Sequence, residues 1–179
     1  MPKLTQVKET KRGRYALFFD GEFAFSLDED TFAMAGLHTG DELEEWQIHD
    51  LQTKSDTRKA VDKAMDLLAL RDHAAGELYQ KLCRSFDPHS AAAAVAKMQE
   101  LNLLDDAGFA RRRAAELLRK RKSRRAILDD LHAKGIDRGA AAEAVEALFA
   151  QSEEDEEENP ELANARALVE RHYAAKLAQ

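Results

Sequence analysis

The chain has 179 residues, of which 44% are hydrophobic, with one cysteine and a formal net charge of −7. That length suits one ordinary domain or a small domain plus a repeat array, and the single Cys83 excludes an internal disulfide and suits a reducing compartment. The acidic balance argues against a protein that coats nucleic acid indiscriminately, but exposed charges more than about 8 Å apart are largely screened at physiological salt, so a local basic face remains compatible with it.

The first 53 residues read as a β-rich extension. "LTQVKET" is a weak strand, and "RYALFFDGEFAFSL" puts two β-prone runs on either side of Asp20-Gly21, a dipeptide that tolerates the positive φ angles of a tight hairpin. Leu17 and Phe19 share one face of the first run. Phe23, Phe25 and Leu27 alternate onto one face of the second. So few strands cannot cover that face alone, and the extension is expected to dock on the helical region C-terminal to it. "DEDTFAMAGL" reads as a short helix with an Asp cap and Gly36 at its end. In "HTGDELEEWQIHDLQ", Thr39 or Asp41 opens a further turn or helix.

From Asp56 the pattern turns helical. "DTRKAVDKAMDLLAL" lines up Ala60, Ala64, Leu67 and Leu68, and "GELYQKLCRSF" places Leu78 and Leu82 four apart. Asp87-Pro88 and Asn159-Pro160 are caps followed by a proline at the first helical position. Gly135 sits where a helix end needs a left-handed residue, with Asp137 capping the next helix. Shifted by about fifty residues, the chain half-matches itself: Leu67-Leu68 falls on Leu117-Leu118, and Val95 and Met98 fall on Val145 and Leu148. The expected fold is therefore mainly α: tandem three-helix repeat units in an elongated array, behind a small extension containing a β-hairpin. The boundaries are 1–53 for the extension, 56–103 and 104–150 for the two units, 151–161 for an acidic linker and 162–179 for a partial third unit. Glu153 to Glu158 read as a solvated, self-repelling linker, with an acidic decoy as the sharper alternative.

No residues assemble into a catalytic, metal or cofactor site. The six histidines lack ligand spacing, and no serine sits in a Gly-x-Ser-x-Gly turn. The glycines form neither a phosphate loop nor a dinucleotide fingerprint. The pair Asp105-Asp106 reads as the start of a helix, with Asp106 as its cap, rather than as a metal pair. Cys83 reads as core filler. No run approaches the roughly eighteen apolar residues of a membrane span, and "MPKLTQVKETKRG" has no apolar signal core; the expectation is a soluble cytoplasmic monomer.

Charge is the feature that stands out. From Arg111 to Arg125, nine of fifteen residues are basic: Arg111, Arg112, Arg113, Arg119, Lys120, Arg121, Lys122, Arg124 and Arg125. Only Glu116 opposes them. On a helix from Asp106 to about Lys122, Phe109, Ala110, Ala114, Leu117 and Leu118 form the buried stripe, and Arg111, Arg112, Arg119 and Lys122 face away. Arg113 and Arg121 lie on the borders, where their stems can cover apolar surface. Ser123 caps a following helix that opens with Arg124 and Arg125. Such one-sign density repels itself, which points to an anionic partner at the outer corner of a two-helix elbow.

"LNLLDDAGFARRRAAELLRKRK" followed by "ILDDLHAKGI" resembles the RecX family of recombination regulators, and "RYALFFDGEFAFSLDEDTF" resembles the extension found in many members. The resemblance covers roughly residues 10–150. It implies a non-enzymatic protein of DNA repair, recombination and the SOS response. Such a protein binds the recombinase RecA and its filament on single-stranded DNA, inhibits strand exchange and ATP hydrolysis, and makes at most weak direct DNA contact. Three positions depart from the family pattern. Ser123 stands where relatives often have glycine. Ala74 is a poor cap, so its helix is expected to open at Asp72. The third unit stops after one helix. Two other readings fit the residues: an independent DNA-binding protein with tandem helix-turn-helix-like units, and a helical scaffold with an unrelated partner. Against the first, an almost pure Arg and Lys segment suits phosphates better than base edges.

Overall fold

The structure, a computed structural model, describes residues 1–154 and 160–177, with side-chain environments for 1–151 and 161–174. It is mainly helical behind a small antiparallel sheet of order β1 (Leu4–Glu9), β2 (Arg14–Phe19), β3 (Glu22–Asp28). The helices are α1 (Glu29–Ala35), α2 (Glu45–Leu70), α3 (Ala75–Leu82), α4 (Pro88–Glu100), α5 (Asp106–Arg119), α6 (Arg124–Ala133), α7 (Arg138–Glu154) and α8 (Pro160–Leu177). Asn159 and four of the six acidic residues from Glu153 to Glu158 lie outside the described residues. The chain divides into two compact units: Met1–Ala69 with Lys81–Leu101, and Leu70–Gln80 with Asn102–Gln179.

In the first unit, Asp20 and Gly21 turn the hairpin with φ of 50° and 89°, as the dipeptide requires. The Thr5 hydroxyl locks the turn, accepting from the Gly21 amide and donating to the Phe18 carbonyl. Leu4, Leu17, Phe19, Phe25 and Leu27 form one core cluster with Leu43 and with Leu51 of α2, so the hairpin packs on the start of a helix that begins within the first 53 residues. Phe23 does not join them. The pairing passes from Leu17 opposite Phe25 directly to Phe18 opposite Phe23, which leaves Ala24 as an extra residue in β3. That bulge rotates Phe23 to the other face, where it is 60% exposed. Strict alternation failed here because a one-residue slip inverts side-chain direction.

Asp28 caps α1 by accepting from Thr31, and Gly36 closes it at φ 58°. α2 runs without a break through residues 53–56, since no glycine or proline interrupts it and Lys54 pairs with Asp50 one turn earlier. Asp87 caps α4 with Pro88 at its first position.

In the second unit, α5, α6 and α7 enclose a core of Phe109, Ala114, Leu117, Ile127, Leu131, Ile136, Val145 and Phe149. The cap of α5 is Asp105, which accepts from the Gly108 amide at 2.9 Å; Asp106 is already helical. Asp106 instead accepts from the Ala75 amide at 2.8 Å. α3 therefore opens at Ala75 rather than at Asp72, because a side chain 31 residues away supplies the acceptor that Ala74 lacks. Gly76 and Gly135 touch backbone to backbone: a Cβ built on either would meet the other's Cα at 2.7 Å. Gly76→Ala should cost roughly 1–3 kcal/mol through this overpacking, measured as a shift of the urea midpoint, whereas Gly139→Ala, with no backbone in its way, should be near neutral.

Candidate functional site

The basic segment forms the corner between α5 and α6. Phe109, Ala110, Ala114 and Leu117 are buried, Leu118 is partly buried, and Arg111, Arg112, Arg119 and Lys122 are exposed. The helix ends in a Schellman motif: the Arg121 amide donates to the Leu118 carbonyl and the Lys122 amide to Leu117. The same motif closes α6, where Gly135 holds the left-handed position. At the corner that position is Arg121, φ 58°, a conformation that costs a side-chain-bearing residue roughly 1–2 kcal/mol. Ser123 then caps α6 by accepting from the Ala126 amide.

The nine cations divide into two groups. Arg113 is a tie: its guanidinium grips the Asp130 carboxylate with two hydrogen bonds of 2.8 and 2.9 Å and reaches Glu116 at 3.1 Å. The hydrogen bonds to Asp130 raise its pKa against the opposing effect of partial burial and hold the Asp130 carboxyl below its usual range. Lys120 also pairs with Glu116, and Arg112 with Asp72. Arg124 lies over the Phe149 ring at 5.4 Å. Among the described residues, Arg111, Arg119, Arg121, Lys122 and Arg125 make no ion pair. Two opposing carboxylates, Asp72 and Asp130, come from outside the segment, so its charge is partly compensated in three dimensions.

Beside α5 lies an open groove of about 660 Å³ lined by Arg71, Asp72, Phe109, Arg112, Arg113, Glu116, Arg119 and Lys134 among others. Two of these lining side chains, Arg71 and Lys134, are held by Glu77, a residue that sequence reasoning passed over. Arg71 grips the Glu77 carboxylate with both terminal nitrogens, at 2.7 and 3.2 Å, and Lys134 adds a third contact at 3.0 Å. Burial alone would raise the Glu77 pKa; the hydrogen bonds and charges of Arg71 and Lys134 outweigh it and hold the carboxyl at about 2. Its one sequence signal was an acid in the first turn of a helix. Cationic side chains around an apolar floor suit phosphate or carboxylate groups. Among the described residues, no three His, Cys, Asp or Glu side chains are placed to hold a metal ion, and no helix is long and apolar enough to cross a membrane.

No family model matches the chain. It is 31% identical over 179 residues to a regulatory protein RecX of Lactobacillus gasseri, covering 99% of this chain and 64% of that protein. It is 27% identical over 151 residues to regulatory protein RecX of Caldanaerobacter subterraneus subsp. tengcongensis, covering 84% of this chain and 77% of that protein. Against the Bacillus subtilis regulatory protein RecX it is 28% identical over 152 residues, covering 81% of this chain and 56% of the relative. A crystal structure of a regulatory protein RecX superimposes with a TM-score of 0.67 at 21% identity, covering 100% of this chain and 86% of that one, a likeness of fold.

Glu77 stabilises the fold wherever it is ionised in the native state. With its native pKa below the unfolded value, that contribution is complete above pH 4.5 and is lost as pH falls from 4.5 toward about 2. At about 1.4 kcal/mol per tenfold change in proton affinity, the full effect is about 3 kcal/mol. Glu77→Gln should lower stability at pH 7 by a comparable amount and flatten its decline in that acid window, read from denaturant melts across pH. Arg121→Gly should instead stabilise the fold, by about 1 kcal/mol, because it relieves the left-handed arginine.

Proposed function

The chain belongs to the RecX family of regulatory proteins, and from that premise we propose that it regulates the recombinase RecA without catalysis of its own. It binds RecA and the RecA filament on single-stranded DNA and inhibits strand exchange and ATP hydrolysis there, in the cytoplasm. One observation carries this reading: five exposed cations along α5 and at the α5–α6 corner have no ion pair among the described residues. A DNA-loaded filament offers phosphates and acidic side chains together, which such a corner can meet. Arg113 is left out of the contact set because its donors are occupied within the fold.

Recurring burial supports reading residues 56–103 and 104–150 as two copies of one unit, with 151–161 as a linker and 162–179 as part of a third. Ala60 and Ala110, Ala64 and Ala114, Ala91 and Ala141, Ala94 and Ala144, and Val95 and Val145 are all buried, each pair fifty positions apart. The chain spans 64% and 56% of the Lactobacillus gasseri and Bacillus subtilis proteins, so their full activity comes to it only by proposal.

Replacing Arg111, Arg119 and Lys122 together by Glu breaks no described ion pair, so the variant should melt within a few degrees of the parent. It should lose inhibition of DNA-dependent ATP hydrolysis by RecA, and any direct DNA binding should show a log–log salt dependence shallower by up to about one for each cation replaced. Inhibition at the parent's concentration would mean that the corner is only a solvated face.

A further inference from the structure

The outer face of the N-terminal sheet carries an aromatic pair that neither the core nor the proposed corner uses. Phe23 is 60% exposed, and its ring meets the half-buried Phe18 ring edge-on at 5.7 Å. The bulge at Ala24 is what puts it there; regular pairing would have turned Phe23 into the core beside Phe25 and Leu27. A bulge interrupts ladder hydrogen bonding, and here it re-aims an apolar side chain toward water. Lys8 of β1 reaches across the same face, its ammonium 5.2 Å from the Phe18 ring centroid. Gln6 pairs directly opposite Phe18 and is exposed. The edge of this face is cationic as well. Residues 1–14 hold five Lys or Arg against Glu9 alone, and of these Lys8, Lys11 and Arg12 are exposed, while Arg14 turns inward to Ser26 and Ser55.

We propose that this face, built on Phe23, Phe18 and Lys8, is a stacking site for the bases of single-stranded nucleic acid. An exposed phenylalanine on a rigid strand offers a π-face to any unpaired base. Lys8, with Lys11 and Arg12 at the β1–β2 turn, supplies countercharge to the phosphates on that side of the rings. A protein partner would need a larger apolar area than two rings provide. A duplex keeps its bases stacked on each other and cannot use the site. The assignment does not rest on the proposed regulatory role. It concerns a different unit from the α5–α6 corner and a different chemistry, stacking rather than charge.

The test uses the full chain and a labelled thymidine oligonucleotide of about twenty nucleotides, followed by anisotropy. Phe23→Ala, an exposed position, should melt like the parent yet bind the oligonucleotide about tenfold more weakly. Its affinity for a duplex or an abasic strand of the same length should be unchanged. Phe23→Trp combined with Trp46→Phe places the only indole on the sheet, and its fluorescence should be quenched on saturation with the oligonucleotide. Charge reversal at the corner should weaken single strand, abasic strand and duplex alike, so the two sites fail distinguishably. The proposal is overturned if the parent does not bind the oligonucleotide, if Phe23→Ala binds it as the parent does, or if all three ligands weaken equally. It is also overturned if the indole signal does not change, or if Phe23→Ala only abolishes self-association.

Discussion

The second unit depends on how the start of α3 is seated against the end of α6. Two glycines let the backbones meet there, Gly76 on one side and Gly135 on the other, and any larger residue would hold them apart. At that separation Glu77 can be reached by Arg71 and Lys134 together, and a buried carboxylate becomes a stable anion. Asp106 closes the arrangement by accepting from the Ala75 amide. A buried carboxylate with one cation removed would be costly, so the three side chains act as a unit.

That seat decides what the basic corner has left to offer. Asp72, just before α3, reaches Arg112, and Asp130 on α6 holds Arg113 with Glu116 beside it. These pairs keep α5 in register with its neighbours and remove some cations from the pool available to a partner. The five left over are exposed, Arg111 along α5 and the other four at or next to the corner. Arg121 shows the same division within one residue. Glycine would fit its left-handed backbone better, yet an arginine is found, at a corner where a side chain can reach outward. Stability and contact pull in opposite directions at such positions.

The first unit separates its faces differently. One face of the sheet is sealed by Leu43 and Leu51, so the hairpin is part of a core rather than an appendage. On the other, one extra residue in β3 moves a phenylalanine from apolar surroundings to solvent. The same chain thus presents unpaired cations at one place and an exposed ring with cations beside it at another.

Local chemistry made much of this readable in advance. The Asp20-Gly21 turn, the caps at Asp28, Asp87 and Ser123, the left-handed Gly36 and Gly135, and the buried stripe of α5 all come from short-range sterics and helical period, which act within a few residues. The RecX resemblance, too, was visible in the motifs around α5 and α6. What escaped the sequence involves partners on different elements of the fold. Asp105 rather than Asp106 caps α5 because Asp106 is claimed by an amide 31 residues earlier. Glu77 looked like an ordinary first-turn acid until folding brought Arg71 and Lys134 to it. The bulge at Ala24 inverted Phe23 because register is a property of the paired strands, not of one strand's alternation. Composition determined that a large positive charge lies in fifteen residues; only the tertiary structure decided which of those charges are neutralised inside the fold, since an ion pair is defined by distance in space and not by spacing in sequence.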